Sequence, residues 1–514
     1  MKVPRNIEAI IVTLLYLTCL YFWTLPIQDN PLPYGEVDAA SHFAVADYTA
    51  HSDRSIQELP FYIDKRYNLD NRFRPGVLWY PPPFHTSLAI AAVVGGSSNI
   101  PIHLANAILS SLIVLSVYFI VRKFFGFEAA LLSGLFLVFS MRDIMIFLWG
   151  QWPERMGFAY LPLILYCFYK YTNSYLKKDE KPIYIYIMAI FLAINFFIHP
   201  MDFFHSIAAL LVISVFFLIK ERKLIFNIKH ISAAVILFLL LLSIFPLQTM
   251  NVASRLQVDE GDPKDKGDFS RLFSWFEPQL DNTGVPQSYF SYKDMIGPYW
   301  TIPLILIGLL FLTLRRKRKD LVMLAWIISL YVMIHLDFIG KGRVHRSLSG
   351  TAHIFYPLLV LGILYLAVLI PKKYKSLFRV GSLLLVTILM LSTIGIQSST
   401  VLKNSYLGIQ RINPYQYEFS QWMKENIDEN SELKHYGSIS LAKSRWIWMT
   451  GHRFLYPSSN TEFNITHIVV DSSDFAIAGD RNSVAQLNQL SNILEANNTL
   501  IYSNDFVKVF EIEN

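Results

Sequence analysis

The chain has few cysteines and few charged residues for its length. Its 514 residues include only two cysteines, Cys19 and Cys167, and both lie inside apolar segments, so no disulfide framework holds an exterior domain together. Charged residues make up 16% of the chain, whereas soluble globular proteins carry roughly 25%. This shortage of charge, together with 53% hydrophobic residues, predicts an α-helical polytopic membrane protein.

Several motifs that carry common chemistries are also missing. The sequence contains no P-loop, no HExxH, no CxxC and no GxGxxG in a suitable context, so it gives no support to nucleotide chemistry or a zinc site. The net charge of +6 does not indicate nucleic-acid binding, because the two parts of the chain differ in sign. From residue 400 onward, thirteen acidic residues stand against nine basic ones, and the remainder is basic.

About eleven apolar segments approach the length of roughly 20 residues that a transmembrane helix needs. They lie near residues 7–26, 99–121, 126–140, 156–171, 183–199, 203–219, 231–249, 299–314, 321–339, 351–370 and 379–398. Lys2 and Arg5 precede the first segment and no cleavage site follows it, which predicts an uncleaved anchor with a cytoplasmic N-terminus. Every cytoplasmic turn is then basic, as the positive-inside rule requires. The apolar stretch 84–96 is too short to cross and is expected to lie in the outer interface.

This topology predicts four substantial segments and one short basic loop on the outer side of the cell membrane. They are the loops 27–98, 141–155, 250–298 and 340–350 and the tail 400–514. The tail combines a helix-like segment at 417–427 with strand-like runs at 467–471 and 506–510, which predicts a small extracytoplasmic α/β domain. The expected domains are therefore a transmembrane domain, 1–399, and a soluble domain, 400–514.

The first external loop contains a polar and aromatic stretch, PYGEVDAASHFAVADY, at residues 33–48. If it is helical from about residue 36, Asp38 and His42 share one face of the helix, with Glu36 just before it. A carboxylate and an imidazole at a bilayer surface can act as a base and its orienting partner. Ordinary solvated loop residues are the alternative interpretation.

The loop 340–350, GKGRVHRSLSG, is basic although the topology places it outside. Its candidates are Lys341, Arg343, His345 and Arg346. Cations in an external loop run against the positive-inside bias, so something outside should compensate them. Arg and Lys are suited to phosphate, which favours a lipid phosphate as the partner. Pairing with lipid headgroups or with acidic residues of the tail is the alternative.

Four more polar residues are candidates at the outer ends of spans. Arg155 in the second external loop could help to bind a lipid phosphate, and Glu154 and Gln151 could bind a substrate's sugar hydroxyls. Internal ion pairs are the alternative for this loop. His199 lies in a short outer turn, where an ionisable group is a functional candidate, although a structural histidine at a helix end would look the same.

The run from residue 80 to 140 resembles the GT-C superfamily of membrane glycosyltransferases, in the style of protein O-mannosyltransferases and aminoarabinose transferases. The matching features are the prolines at 81–83, an interfacial helix, the glycine pair at 95–96, Asn106 in the next span, and the cytoplasmic turn RKFFG at 122–126. The tail's YEFSQWMKEN is similar to openings of extracellular domains on prokaryotic members. No clear WWDYG-type motif occurs, which disfavours an oligosaccharyltransferase proper.

The resemblance implies a multi-pass glycosyltransferase that moves a hexosyl or pentosyl group from a polyprenyl or dolichyl phosphate to a glycan, lipid or protein acceptor on the outer face. It implies Asp38 as the general base of an inverting reaction, with Glu36 as its rival and His42 as an orienting or sugar-binding group. Arg343, Arg346 and Arg155 would stabilise the leaving phosphate. No metal ligands are predicted, and the family leaves room for Mg²⁺ or Mn²⁺.

Two other functions are weighed against this one. A transporter or flippase of lipid-linked sugars would place charged groups near the bilayer midplane, whereas the ionisable groups here cluster at the outer ends of the predicted spans. A non-catalytic anchor would depend on the tail alone and would tolerate the loss of Asp38.

Overall fold

The computed structural model is mostly helical. It describes residues 3–28, 30–52, 60, 62–63, 82–246, 249–250, 292–335, 350–403, 411–437, 440–457 and 465–512. The first helices are α1 (Arg5–Trp23), α2 (Leu25–Gln28), α3 (Val37–His51), α4 (Pro83–Gly95), α5 (Asn99–Phe125), α6 (Phe127–Val138), α7 (Met141–Leu148), α8 (Trp152–Leu176) and α9 (Ile183–Ile198). They are followed by α10 (Pro200–Glu221), α11 (Ile228–Leu242), α12 (Tyr292–Met295), α13 (Thr301–Arg315), α14 (Arg318–His335), α15 (Thr351–Leu369), α16 (Lys372–Met390) and α17 (Ile396–Lys403), the last two joined by a π-helical turn, Leu391–Gly395.

The chain forms two compact units. The first unit comprises residues 1–23, 107–146 and 153–400, and the second comprises residues 24–106, 147–152 and 401–514. The sequence predicted a transmembrane domain, 1–399, and a soluble domain, 400–514. This division concerns the function of each part as well as its packing, and it stays a prediction.

Several helices have the length and composition of transmembrane segments. Among the described residues, five qualify: α1, α5, α10, α15 and the continuous run through α16 and α17. The pair α6 and α7 qualifies as a sixth if its 43° bend lies within one span. Four shorter helices, α4, α9, α11 and α13, are also apolar. Each of the eleven segments predicted to cross overlaps a helix, but the count of eleven crossings stays a prediction.

Two glycines allow close packing of α13 and α15 in the first unit. A Cβ on Gly308 would lie 2.1 Å from the carbonyl oxygen of Leu358, and one on Gly362 would lie 1.9 Å from that of Leu304. Any larger residue would push these backbones apart. Small residues commonly serve this purpose between membrane helices, where close van der Waals contact drives association.

In the second unit, the chain after residue 411 forms a five-stranded sheet with helices. Its elements are α18 (Pro414–Asn426), β1 (Glu432–Tyr436), α19 (Leu441–Gly451), β2 (Phe454–Pro457), β3 (His467–Asp471), α20 (Ser473–Ala478), α21 (Arg481–Glu495), β4 (Thr499–Ser503) and β5 (Val507–Glu511). The strand order is β2-β1-β3-β5-β4. Strand β1 pairs in parallel with β2 and β3, and β5 pairs antiparallel with β3 and β4.

Local sequence signals explain how these elements begin. Helix α18 starts with a capping box, in which Asn413 and Gln416 satisfy each other's backbone N–H groups, and Pro414 occupies the first turn. The helix predicted at 417–427 and the strands predicted at 467–471 and 506–510 are present. The placement of this part outside the membrane stays a prediction.

Candidate active site

Asp38 lies half-buried in the first turn of α3, in the second unit. The start of this helix is held by the segment 147–152: the backbone N–H of Glu36, the N-cap residue, donates to the carbonyl oxygen of Leu148 at 2.8 Å. Gly150 packs so tightly here that a Cβ would lie 1.9 Å from the backbone nitrogen of Ala39. A carboxylate in a first helical turn is stabilised by the helix dipole. Asp38 is therefore a negative group on a fixed helix start.

His42 lies one turn further along α3, on the face that it was predicted to share with Asp38, and it is buried. Its Nδ1 lies 2.9 Å from Nε2 of His85, which is buried in α4. One of these two nitrogens must carry the proton for a hydrogen bond to form. The ring of Phe84 contacts His42 edge-on, with centroids 6.1 Å apart. His42 is thus oriented by a second histidine and a phenylalanine.

Gln151 is the fourth predicted site residue that belongs to the second unit, after Glu36, Asp38 and His42. It is buried, and its Oε1 has no hydrogen-bond partner among the described residues. The loop that carries it is closed by Trp152, whose indole N–H donates to the carbonyl oxygen of Phe147 at 2.9 Å. A buried amide oxygen without a donor costs free energy, so Gln151 is suited to accept a hydrogen bond from a hydroxyl group.

Arg155 in the first unit lies in a buried charged cluster. It forms an ion pair with Asp143, and the two side chains are 0% and 1% exposed. Nε2 of His353 lies 2.8 Å from Oδ1 of Asp143 and 3.2 Å from Nη1 of Arg155. Because arginine only donates, this ring nitrogen can satisfy only one of the two at a time. The guanidinium also packs 4.9 Å from the ring centre of Trp23, an arrangement typical of a cation–π contact.

Each member of this cluster retains a buried polar atom with capacity for another partner. Nε of Arg155, Oδ2 of Asp143 and Nδ1 of His353 have no hydrogen-bond partner among the described residues. Arg142 and Glu154 are the sequence neighbours of Asp143 and Arg155, and both are buried. The five side chains give this part of the first unit two cationic and two anionic groups, so their formal charges balance.

His199 occupies a helix junction in the first unit. It is both the C-cap of α9 and the N-cap of α10. Its Nδ1 lies 3.1 Å from Oδ2 of Asp202. Asp202 lies close to α8, because a Cβ on Gly157 would come within 2.1 Å of the same carboxylate oxygen. This geometry fits a structural histidine at a helix end. The predicted substrate-binding role of His199 stays a prediction.

The remaining predicted residues cannot be placed. Lys341, Arg343, His345 and Arg346 lie outside the residues that the structure describes, and their assignment as phosphate ligands stays a prediction. Within the described ranges, no group of three or more His, Cys, Asp or Glu side chains is arranged to hold a metal ion. The use of Mg²⁺ or Mn²⁺, for which the family leaves room, likewise stays a prediction.

Two histidines of these clusters were not identified from the sequence as candidates. His353 is a polar residue in an otherwise apolar predicted span, which is the pattern that marks function or buried pairing in membrane helices. His85 ends the motif YPPPFH, in which only the prolines were identified as a notable feature. In both cases the residue type was visible, but its partner lies more than 40 residues away in the chain.

The fold is similar to those of an archaeal oligosaccharyltransferase and of ArnT, each at 11% sequence identity. Archaeal oligosaccharyltransferase AglB from Archaeoglobus fulgidus, in complex with an inhibitory peptide and a dolichol-phosphate, matches with a TM-score of 0.60 at 11% identity, over 99% of this chain and 74% of that chain. ArnT from Cupriavidus metallidurans in the apo state matches with a TM-score of 0.55 at 11% identity, over 97% of both chains. The same protein bound to undecaprenyl phosphate matches with a TM-score of 0.51, at the same identity and coverage.

The family model of DUF6541, a family of unknown function, matches residues 4–351, and the chain belongs to this family. No curated protein matches the chain. The structural matches show the fold, and five helices of the described residues are long and apolar enough to cross a membrane.

Proposed function

We propose that this protein is a membrane glycosyltransferase that transfers a sugar from a polyprenyl-phosphate donor to an acceptor on the extracytoplasmic face. The observation that carries the proposal is Asp38: a half-buried carboxylate at a fixed helix start, in a chain with the GT-C fold. Support also comes from two proteins of the same fold, one in complex with a dolichol-phosphate and the other with undecaprenyl phosphate.

Asp38 is proposed as the general base. The acceptor's hydroxyl oxygen attacks the anomeric carbon of the donor sugar, and its proton passes to the Asp38 carboxylate. The bond between the anomeric carbon and the phosphate oxygen breaks on the opposite side, and the lipid phosphate keeps the electron pair. This displacement inverts the anomeric centre and needs one carboxylate, not the pair used in glycoside hydrolysis. The contact with His85 orients the imidazole of His42, one turn after Asp38 on α3.

Arg155 is proposed to stabilise the phosphate that leaves. Its Nε has capacity for an additional acceptor, and its burial strengthens any contact with an anion. The ion pair with Asp143 holds the guanidinium in one orientation, so little side-chain ordering is required during the reaction. Arg343 and Arg346 are proposed as further phosphate ligands on the charge argument alone. Each of these roles rests on the geometry or sequence of its own part of the chain.

The proposed topology completes this assignment. About eleven transmembrane helices, a cytoplasmic N-terminus and an extracytoplasmic tail follow from the distribution of basic residues between apolar segments. The proposed acceptor is a glycan, a lipid or a protein, and a divalent cation is compatible with the reaction.

The decisive experiment is donor consumption by the purified protein in nanodiscs. The protein is incubated with a panel of polyprenyl-phosphate sugars in the presence of membrane extract as the acceptor source, and release of the lipid phosphate is measured. We expect one donor of the panel to be consumed. Absence of consumption across the panel would contradict the proposed function.

The base assignment is tested by Asp38→Asn, with Asp505→Asn as the matched control. Asp505 is an exposed carboxylate on the loop before β5, and its loss should leave transfer unchanged. Asp38→Asn is expected to lower the transfer rate at least a hundredfold, the scale of general-base catalysis, while the melting temperature stays near that of the wild type. Near-normal transfer by Asp38→Asn would show that another group takes the proton.

A further inference from the structure

A polar cavity of about 390 Å³ lies within the second unit, apart from the candidate residues described above. Its volume falls in the range of small-molecule sites. The walls come from α3, the link and first turn of α5, and helices α18 and α19. The lining side chains used below are Phe43, Asp47, Asn99, Tyr417, Gln421 and Lys424.

Asp47 provides a fixed negative charge in this cavity. It accepts hydrogen bonds from the Ser98 hydroxyl and from Nε2 of His452 at 2.6 Å, and Nδ1 of His51 lies 3.1 Å away. Burial acts to raise the pKa of Asp47, but the hydrogen bond from His452 and the neighbouring positive charges outweigh it and hold the pKa well below its usual range. Lys424 adds one of those charges at 3.7 Å. Asp47 is therefore an ionised acceptor in a set position.

Helix α18 supplies the opposite wall with side chains of a different kind. Tyr417, Gln421 and Lys424 follow a spacing of four and three residues, so they share one face of the helix. The amide of Asn99 donates to the Tyr417 hydroxyl at 2.8 Å, which fixes the phenol ring. All three side chains of α18 are partly exposed. The wall thus offers an aromatic surface, an amide and an ammonium group.

This set of groups matches the hydrogen-bonding needs of a saccharide. Sugar hydroxyls both donate and accept, so they need a carboxylate and amide oxygens on one side and amide or ammonium donors on the other. The aromatic rings of Phe43 and Tyr417 provide apolar surface for the C–H face of a sugar ring. Asp47 and Lys424 carry opposite charges, which favours a neutral sugar over an acidic one.

We propose that this cavity binds a neutral saccharide portion of the acceptor, an inference that rests on the proposed function and adds the acceptor's class to it. Asp47 lies nine residues after Asp38 on α3, which places it two and a half turns and about 14 Å along the helix, on the opposite face. The cavity therefore holds a sugar that does not react. Binding energy from such a remote part of a substrate supports catalysis at the reacting centre.

A peptide acceptor fits this cavity less well. Extended peptides are commonly bound by pairing with the edge of a sheet or by apolar pockets for alternate side chains. The lining residues of this cavity lie on helices and on the links that join them, and none lies in a strand.

The test is saturation-transfer NMR on the full-length protein in nanodiscs, with maltotriose, mannotriose and triacetylchitotriose as separate neutral probes. We expect at least one neutral trisaccharide to receive saturation. Gln421→Ala should weaken its binding about tenfold, since one hydrogen bond with a partly desolvated group is lost. Glu418→Ala, an exposed residue on another face of the same helix, is the matched control and should bind like the wild type. A thermal melt of each variant verifies folding.

The outcomes separate this inference from the proposed function. If Gln421→Ala weakens saccharide binding, the assignment of the cavity is supported, whether or not a donor is consumed. If saccharide binds in this way but no polyprenyl-phosphate sugar is consumed, the proposed transferase function is rejected and the cavity is retained. If a donor is consumed but no trisaccharide binds, or if Gln421→Ala and Glu418→Ala bind alike, the saccharide assignment is wrong. If a peptide of defined sequence inhibits donor consumption, and Gln421→Ala abolishes that inhibition, the cavity is a peptide site and the saccharide assignment is wrong.

Discussion

The ion pair of Arg155 and Asp143 allows a quantitative test of the buried charged cluster. Both side chains are almost fully buried, and Asp143 also contacts His353 at 2.8 Å. Asp143→Asn removes the negative charge that is paired directly with the buried guanidinium, which costs about 3–5 kcal/mol of unfolding free energy. Arg155→Gln removes the positive charge beside the Asp143 carboxylate, which keeps its contact with His353, and should cost a similar amount of unfolding free energy.

The double variant should cost much less than the sum of the two single variants. With both charges gone, two neutral amides remain, and the loss is expected to reflect imperfect hydrogen bonds of about 1–2 kcal/mol. The interaction free energy from the four proteins should therefore be several kcal/mol. Unfolding is measured in mixed micelles by titration with SDS, followed by tryptophan fluorescence.

A second ion pair in the same unit provides the control. Arg379 and Glu128 are 40% and 28% exposed, with the Nη2 to Oε2 distance at 2.5 Å. Solvent screens such a pair, so the same cycle with Arg379→Gln and Glu128→Gln should give below about 1 kcal/mol. If the cycle at Arg155 and Asp143 is additive within that limit, the cluster is not a desolvated ion pair and the argument for a prearranged Arg155 fails.

Three further perturbations test the packing and the charges of the two units. Gly308→Ala and Gly362→Ala should each destabilise the protein by about 1–3 kcal/mol in the same SDS titration, because each methyl group would meet a backbone carbonyl of the facing helix. Gly381→Ala, at a position open to its surroundings, should leave the transition unchanged, and equal effects at all three positions would contradict the close packing. Gly150→Ala should destabilise by about 3 kcal/mol or more, since its φ of +84° and its contact with α3 both exclude a side chain, and a variant with wild-type melting and transfer would show that the start of α3 is not held there. Because the pKa of Asp47 is lowered in the folded state, its stabilising effect is complete above the unfolded pKa of about 4 and is lost as the pH falls through the lower folded value. Asp47→Asn should therefore melt below the wild type at neutral pH, with a gap that narrows on acidification, and a gap that stays constant from neutral to acidic pH would contradict the assignment.

The sequence predicted those features that depend on short stretches of chain. Apolar runs indicated where helices lie, and the D-x-x-x-H spacing correctly placed Asp38 and His42 on one face of a helix. The strand-like run HIVVD forms β3, and its three consecutive β-branched residues favour a strand. Helix and strand formation by such short segments depends on their own residues, so it can be predicted without knowing where each segment packs.

The partners of the site residues could not be predicted in the same way. Arg155 is 198 residues away from His353 in the chain, and His42 is 43 residues away from His85. No periodicity connects residues at such separations, because their contacts depend on how whole helices pack. Internal ion pairs were the alternative interpretation for the second external loop, and such a pair joins Arg155 to Asp143. The role of Arg155 in phosphate binding stays a prediction.

The discontinuity of the second unit has a consequence for biosynthesis. Segments from both ends of the chain meet in it: the indole N–H of Trp446 donates to the carbonyl oxygen of Gly35 at 2.7 Å, and Arg411 donates to the carbonyl oxygen of Pro26. A ribosome that has released residues 24–106 must synthesise some 300 more before these contacts can form. We therefore expect the segment around α3 to complete its folding only after the C-terminal part of the chain has been synthesised. A nascent chain stopped before residue 401 lacks Arg411 and Trp446, which contact Tyr34 and Phe43. Chaperones that act on this protein are expected to be needed late, after the last apolar helix has been inserted.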